Sequence, residues 1–173
     1  SRMTVEGAGV EDRIDGIRSD LARTRPGLDS SGVAITGRLL DLARHVTAHR
    51  EAQLRAFDLT AADYDVLATL RRRAGTTGLN PRDVQRAVMV TSGGMTKRLD
   101  RLEQAGLIER RPDPNDRRGV LVRLTSQGHS TIDQALDAML DAERSALERA
   151  LPKQADRARL EDLLRRLLLA LER

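Results

Sequence analysis

Positively charged side chains are concentrated in the middle third of the chain. Between Arg71 and Arg118 the sequence has twelve Lys and Arg residues and six Asp and Glu residues, a net charge of +6 in a chain whose total is +4. Such a concentration is the electrostatic pattern of a surface that binds the phosphate backbone of a nucleic acid. A solvated helical surface would give the same counts, so charge by itself leaves both interpretations open.

The stretch PDPNDRRGV, residues 112–120, places two adjacent arginines beside a stiff turn. Pro112 and Pro114 exclude a helix, and the side chain of Asp116 is suited to hydrogen-bond the turn backbone or to hold an arginine. The runs LIERR before it and VLVRLT after it have the pattern of short strands. The sequence therefore predicts a β-hairpin with Arg117 and Arg118 near its tip, where arginines can enter a narrow DNA minor groove.

The segment TSGGMTKRLDRLEQAG, in front of the hairpin, predicts a helix that Thr91 or Ser92 caps and that Gly106 ends. A helical wheel places its apolar side chains on one face and a small, polar and cationic set on the other. A helix of this kind followed by a basic hairpin is the order of a recognition helix and its wing. The predicted DNA contacts are Thr91, Ser92, Gly93, Thr96, Lys97, Arg101, Asp116, Arg117 and Arg118.

Two adjacent glycines, Gly93 and Gly94, fall in the predicted first turn of this helix. Glycine there weakens a helix, so the pair needs a reason. Close approach of the backbone to a DNA phosphate or base edge is one reason. Easier packing against the preceding helix is the alternative.

The remaining elements are predicted to be helices. Amphipathic patterns indicate helices over residues 10–23 and 33–57. Thr60 is the predicted N-cap of a helix that ends at Gly75, and Asn80 that of a short helix with Pro81 in its first position. Two further helices follow the hairpin and are divided at Pro152.

Composition excludes several classes of function. The chain has no cysteine, so disulfides, thiolate zinc sites and thiol redox chemistry are excluded. His45 and His49 stand four residues apart, but they do not form the H-E-x-x-H motif, and a third ligand would have to be His129, Asp or Glu from elsewhere in the chain, so we expect no metal site. No nucleophile–base pair or phosphate loop is visible, and we expect neither an enzyme nor a cofactor. No apolar run could span a membrane, and the expected location is the cytoplasm.

Leucines dominate the last helix and are too numerous to leave in water. Together with apolar positions of the helix before it, they predict an interface between subunits. Packing within one chain onto the helix of residues 31–57 is the alternative. The leucines of the last helix are Leu160, Leu163, Leu164, Leu167, Leu168 and Leu171.

The segment from Ser92 to Gly128 resembles the recognition helix and wing of the MarR family of bacterial transcription regulators. The spacing of Asp116 and Arg118 matches the D-x-R signature of that family's wing. The runs RPGLD, GRLLDLAR and LTAADYDVLATLRR are similar to the PecS-like, urate-responsive branch, which has an extra N-terminal helix. The resemblance implies a homodimer with intertwined first and last helices, whose recognition helices and wings read a pseudo-palindromic site.

The resemblance also implies a ligand pocket that uses Asp65, Arg98 and Arg110, with Leu21 where this branch has a Trp. Because that aromatic lid is absent, a small anionic or phenolic effector is expected in place of urate. The helical wheel gives Arg98 independent support, since it lies on the flank of the apolar stripe and needs Asp65 or an anionic ligand as a partner. An ordinary internal salt bridge is the alternative role for Arg98.

We therefore expect a mainly α fold, a winged helix-turn-helix with long N- and C-terminal dimerisation helices and a two-stranded β wing. The expected division is a disordered tail at residues 1–9, dimerisation helices with a possible ligand lid at 10–57, the DNA-binding lobe at 58–127, and dimerisation helices at 128–173. The expected function is sequence-specific binding of double-stranded DNA by a ligand-released repressor. A non-specific architectural DNA binder is the alternative, followed by a protein-interaction module that uses the leucine-rich tail.

Overall fold

The computed structural model describes residues 10–88 and 94–172. The chain divides into two compact units, the first ending at His49 and the second beginning at Arg50. Within the described ranges the order of elements is two helices, a single 3-10 turn, three helices, a two-stranded antiparallel sheet and two helices. This order confirms the predicted mainly α fold with a β wing.

The first unit is built on α1 (Arg13–Thr24) and on α2 (Ser31–Leu54), whose last turn belongs to the second unit. Asp12 caps α1 by accepting from the backbone amide of Ile14 at 2.8 Å, and its own amide donates to Asp15. Arg38 of α2 pairs with both of these carboxylates at 2.7 Å. The predicted helix of residues 33–57 ends earlier than expected, at Leu54, because Arg55–Phe57 forms a 3-10 turn.

Three helices follow: α3 (Ala61–Arg73), α4 (Pro81–Ala87) and α5 (Met95–Gln104). The predicted caps of α3 and α4 are confirmed. Thr60 and Asp63 form a capping box at α3, and the side chain of Asn80 accepts from the backbone of α4 with Pro81 in the first position. Gly106 has a φ of 71° just after α5, as expected of the residue that ends a helix.

The start of α5 differs from the prediction. Its N-cap is Gly94, which has a φ of 95° and offers no side-chain hydrogen bond, while Thr91 and Ser92, the predicted caps, lie outside the described residues. The backbone takes a left-handed conformation there, which glycine adopts without steric cost. Gly94 therefore precedes the helix and does not lie in its first turn.

The wing consists of β1 (Ile108–Asp113) and β2 (Asp116–Leu124), and its strands are longer than predicted. Only Pro114 and Asn115 form the turn. The pairing shifts between Pro112↔Val120 and Asp113↔Asp116, so three residues of β2, Arg117–Gly119, bulge out of the ladder. A bulge is one of the places where a strand tolerates proline, which lacks the N–H that a regular ladder needs.

Leu79, which precedes α4, pairs with Val122 of β2 through two backbone hydrogen bonds, at 2.9 and 2.8 Å. The chain continues into α6 (Ser126–Ala150) and α7 (Gln154–Leu171), divided at Pro152 as predicted. The core of the second unit lies between α3, α5, the wing and α6. Its most deeply buried side chains include Leu54, Leu67, Leu70, Val84, Leu99, Val122, Ile132 and Met139.

The predicted apolar face of α5 is confirmed, since Met95, Leu99 and Leu102 are buried. In contrast, α7 buries no residue. Its leucines at positions 160, 163, 164, 168, 169 and 171 are all exposed within the single chain. A large apolar surface is therefore left uncovered on this helix.

Candidate nucleic-acid interface

The outer face of α5 is polar and cationic. Thr96 and Lys97 are exposed, and Lys97 lies on the side of the helix opposite the buried Leu99. Because α5 follows the short α4 and leads through Gly106 directly into β1, it occupies the position of the second helix of a helix-turn-helix. Three further predicted contacts, Thr91, Ser92 and Gly93, lie outside the described residues.

The wing presents Arg117 and Arg118 on its bulge, where both side chains are exposed. The carboxylate of Asp116 accepts a hydrogen bond from the backbone amide of Arg118 at 2.9 Å. On the other side of the turn, Asp113 accepts from the amide of Asn115 at 2.8 Å. Asp116 therefore takes the first of the two roles that the sequence suggested, shaping the backbone that carries the arginines.

A groove of about 510 Å³ runs between the wing and the start of α4. Arg118 and Gly119 line it on the wing side, and Asn80, Pro81 and Arg82 line it on the helix side. Arg82 is exposed, so two cations face a groove open to solvent, whose lining also includes the carboxylates of Asp113 and Asp116. Both carboxylates accept hydrogen bonds from the turn backbone, so the exposed cations of the groove are Arg82 and Arg118, which suit contact with a phosphate. The sequence did not single out Arg82, because its helix is short and carries no recognisable motif.

Arg101 was expected on the outer face of α5. Its guanidinium instead reaches back to the carboxylate of Asp63 and lies 3.5 Å from the hydroxyl of Thr60. The side chain is nevertheless 55% exposed, so it is held at one end and open to solvent along its length. The helical wheel gives the direction of the Cα–Cβ bond but not the end point of a long side chain, and the pair with Asp63 escaped prediction for that reason.

Arg98 lies beside Arg101 on the flank of the apolar face, as predicted, and its side chain is 15% exposed. Its Nε atom stands 3.9 Å from Asp63. Asp65, the partner suggested from the sequence, is buried in α3. The structure thus adds Asp63 as an anion facing Arg98.

Arg110 of β1 is held by two carboxylates of α5. It contacts Asp100 at 2.6 Å and forms a second ion pair with Glu103, which also accepts from the backbone amide of Arg110 at 3.1 Å. Partial burial lowers the pKa of Arg110, but the hydrogen bonds that its guanidinium donates to these two carboxylates outweigh that effect, so the pKa of Arg110 is raised overall. Arg110 therefore connects the wing to α5 through two ion pairs.

The expected ligand residues do not line the cavity beside the end of α5. A cavity of about 340 Å³ lies beside the start of α3 and the end of α5, and its lining includes Arg55, Asp63 and Arg101. Asp65, Arg98 and Arg110 do not belong to that lining. Leu21, the fourth residue, is half-buried in α1 of the first unit.

No group of three or more His, Asp or Glu side chains in the described ranges is arranged to hold a metal ion. His45 is 65% exposed and stands near Arg44 and Asp41. None of the described helices is both long and apolar enough to cross a membrane.

Comparison with known proteins gives a family model, curated relatives and solved structures that agree with one another. A family model described as the MarR family matches residues 57–119, the segment that runs from the turn before α3 to the wing bulge. The HTH-type transcriptional regulator PecS of Dickeya dadantii (strain 3937) is 34% identical over 123 residues, which cover 71% of this chain and 74% of PecS. The multiple antibiotic resistance protein MarR of Escherichia coli (strain K12) is 42% identical over 81 residues, 47% of this chain and 54% of MarR.

A solved structure of a mutant MarR from E. coli complexed with operator DNA resembles this chain with a TM-score of 0.66 at 32% identity. The match covers 82% of this chain and 99% of that one. The likeness therefore extends beyond the wing to the flanking helices.

Proposed function

We propose that this chain, which belongs to the MarR family of winged helix-turn-helix transcriptional regulators, represses transcription as a homodimer that an effector releases from its operator. Membership follows from the 34% identity to PecS over 74% of that protein. The similar MarR mutant was solved with operator DNA bound, and its whole length is matched by this chain. Both relatives support the proposal that operator DNA is the ligand here.

The observation that carries the proposal is the continuity of two cationic surfaces. The exposed side of α5, with Thr96 and Lys97, leads without an intervening element into the wing that presents Arg117 and Arg118. We infer that α5 enters a major groove while the wing arginines reach the flanking minor groove. Arg82 lies on the far side of the protein groove from Arg118 and would contact the phosphate backbone that separates the major groove from the minor groove.

The leucine surface of α7 supports the homodimer. A second copy of the chain would cover it, since a symmetric interface places the same patch on both partners. Dimerisation would also space two recognition helices at about one turn of DNA, roughly 34 Å, which reading a pseudo-palindromic site requires. We propose residues 10–57 and 128–173 as the dimerisation helices and residues 58–127 as the DNA-binding lobe.

An effector would act by changing that spacing. A coupling of about 1–3 kcal/mol between ligand and DNA changes affinity by roughly 5- to 150-fold, so a modest rearrangement is enough. We propose a small anionic or phenolic molecule that engages Asp65, Arg98 and Arg110 of the second unit. The ion pairs of Arg110 with Asp100 and Glu103 support this role, because an anion competing for Arg110 would loosen the wing from α5.

The test is binding to the intergenic DNA beside the protein's own gene, with unrelated DNA as competitor. Wild type should bind tightly and resist the competitor. Arg118→Ala should weaken binding by about 10- to 100-fold, the range expected for a specific arginine contact. Arg159→Ala, which removes the same charge from an exposed position of α7, is the matched control and should bind as wild type does.

The proposal would be contradicted if wild type binds the operator weakly, if unrelated DNA competes as well as operator DNA, and if Arg118→Ala leaves the affinity unchanged. That result would favour the architectural alternative, in which affinity comes from salt-dependent phosphate contacts alone. Once operator binding is established, candidate anionic and phenolic compounds are added, and release of the DNA identifies the effector.

A further inference from the structure

Asp63 is a charged residue buried where α3 meets the recognition helix. Its side chain is only 4% exposed, although it lies in the first turn of α3 beside a surface cavity. A carboxylate so far removed from water is costly unless charged and hydrogen-bonding partners surround it. The identity and spacing of those partners indicate what the residue does.

The two oxygens of Asp63 face different partners. Oδ2 completes the capping box of α3, accepting from the hydroxyl of Thr60 at 2.6 Å and from its backbone amide at 3.1 Å. Oδ1 accepts from the guanidinium of Arg101 and lies 3.9 Å from Nε of Arg98. One carboxylate therefore joins the first turn of α3 to two arginines of α5.

Arg98 and Arg101 stand three residues apart on α5, so they project from neighbouring positions on one side of the helix. Ion pairing of both to one fixed anion restrains rotation of α5 about its own axis. The apolar contacts of Met95, Leu99 and Leu102 hold α5 against the core but are non-directional. The charged contacts add the directional restraint that hydrophobic packing lacks.

We propose that Asp63 is a positioning residue for DNA recognition: it sets the rotation of the recognition helix and holds Arg101 in place beside the groove-facing side chains. This inference rests on the proposed operator binding. It differs from a capping role, because the cap uses Oδ2 and the recognition helix is held through Oδ1. Asp63 itself touches no DNA in this proposal and acts only through α5.

Asp63→Asn separates the two roles. The amide oxygen of Asn can take the place of Oδ2 in the cap, while its NH₂ group then faces the arginines as a donor instead of an acceptor. Thr60→Val is the complementary variant, since it removes the hydroxyl of the cap, together with that hydroxyl's long 3.5 Å contact to Arg101, and leaves the ion pair between the carboxylate and Arg101. Binding to the operator and to unrelated DNA is measured for both variants and for wild type, at fixed salt and after circular dichroism has verified folding.

The sign of the effect is diagnostic. Loss of a negative charge near the interface by itself strengthens binding to any DNA. We expect Asp63→Asn to weaken operator binding by about tenfold, the equivalent of one hydrogen bond to a charged group, with unrelated DNA bound as well as before or better. Thr60→Val should retain wild-type operator affinity. Unchanged or stronger operator binding by folded Asp63→Asn, or an equal loss in Thr60→Val, would overturn the proposal.

Asp63→Glu provides a second variant if Asp63→Asn does not fold. Glu is the usual third residue of a capping box and keeps the negative charge, so α3 should form normally. Its longer side chain displaces the carboxylate from the arginines, and we expect weaker discrimination between operator and unrelated DNA. Full discrimination by this variant would contradict the inference. If wild type itself fails to prefer the operator, the proposed function fails first, and the two failures are distinguishable.

Discussion

Single charged residues fasten the elements of this protein to one another. Arg38 joins α2 to the cap of α1, Arg71 joins α3 to α6 through Asp133 at 2.7 Å, and Arg110 joins the wing to α5. Each arginine can donate several hydrogen bonds in a fixed fork, so one side chain orients two elements. Composition gave the abundance of arginine, but only the folded chain shows which of them fasten elements and which remain available to DNA.

Acid titration should detect the Arg38 contact. Hydrogen bonds from Arg38 hold the pKa of Asp12 and of Asp15 below the ordinary value of 3.8. A carboxyl with a lowered pKa in the folded state contributes stability above pH 3.8, and that contribution is lost as the pH falls through the lowered pKa. In Arg38→Gln we expect both pKa values to rise towards 3.8, as measured by NMR of the carboxyl carbons.

Asp41 is an internal control for this titration. Its pKa is lowered chiefly by Arg44 and not by Arg38, so it should stay low in Arg38→Gln. If the pKa values of Asp12 and Asp15 do not change in the variant, Arg38 does not pair with them in solution.

At the level of elements, the start of α6 lies so close to the chain before the wing that only glycine fits at position 128. Gly128 lies in the first turn of α6, and its amide donates to the hydroxyl of Thr125 at 3.0 Å. Thr125 in turn donates to the carbonyl oxygen of Gly106 at 2.6 Å. This small network attaches the start of α6 to the chain between α5 and β1.

Gly128→Ala should loosen that junction. A Cβ atom there would lie 1.9 Å from the carbonyl oxygen of Leu107, a backbone atom that cannot move aside without displacing the strand. We expect a loss of at least about 1–3 kcal/mol in the free energy of unfolding, measured by urea denaturation.

Gly16→Ala is the matched control, because a Cβ atom at Gly16 in α1 has no neighbour within 4 Å. Replacing glycine by alanine within a helix should then stabilise the protein slightly, by up to about 1 kcal/mol. Equal effects of the two substitutions would show that the close approach at Leu107 is absent in solution.

For the whole molecule, the exposed leucines of α7 make a second copy of the chain the expected partner. Leu168 belongs to the apolar stripe formed with Leu160, Leu164 and Leu171, and it is 57% exposed. Leu169 is equally apolar and 54% exposed but lies on the opposite side of the helix. The two neighbouring leucines therefore allow the same substitution to be compared inside and outside the proposed interface.

Leu168→Glu should dissociate the dimer, because the charge would be buried in both copies at once. We expect the dimer dissociation constant to rise by at least roughly 100-fold, measured by analytical ultracentrifugation, with operator binding lost in parallel. Leu169→Glu should remain a dimer. A monomeric wild type, or a dimeric Leu168→Glu that still binds the operator, would exclude this surface as the dimer interface.

Features that depend on neighbours along the chain are readable from the sequence. Caps at Thr60 and Asn80, the helix stop at Gly106 and the apolar face of α5 follow from local hydrogen bonding and helical periodicity, and the structure confirms them. The resemblance of the helix and wing segment to the MarR family is also readable from sequence, and the comparisons confirm it.

Features that depend on distant partners become visible only in the folded chain. The bulge at Arg117–Gly119 arises from the pairing of two strands, and the anion facing Arg98 and Arg101 is Asp63, 35 or more positions away along the chain. A long side chain pairs with whichever partner lies near it in space. The helix α5 begins after Gly94 without a side-chain cap, because glycine adopts the left-handed backbone conformation without strain. Local patterns contain no information about either.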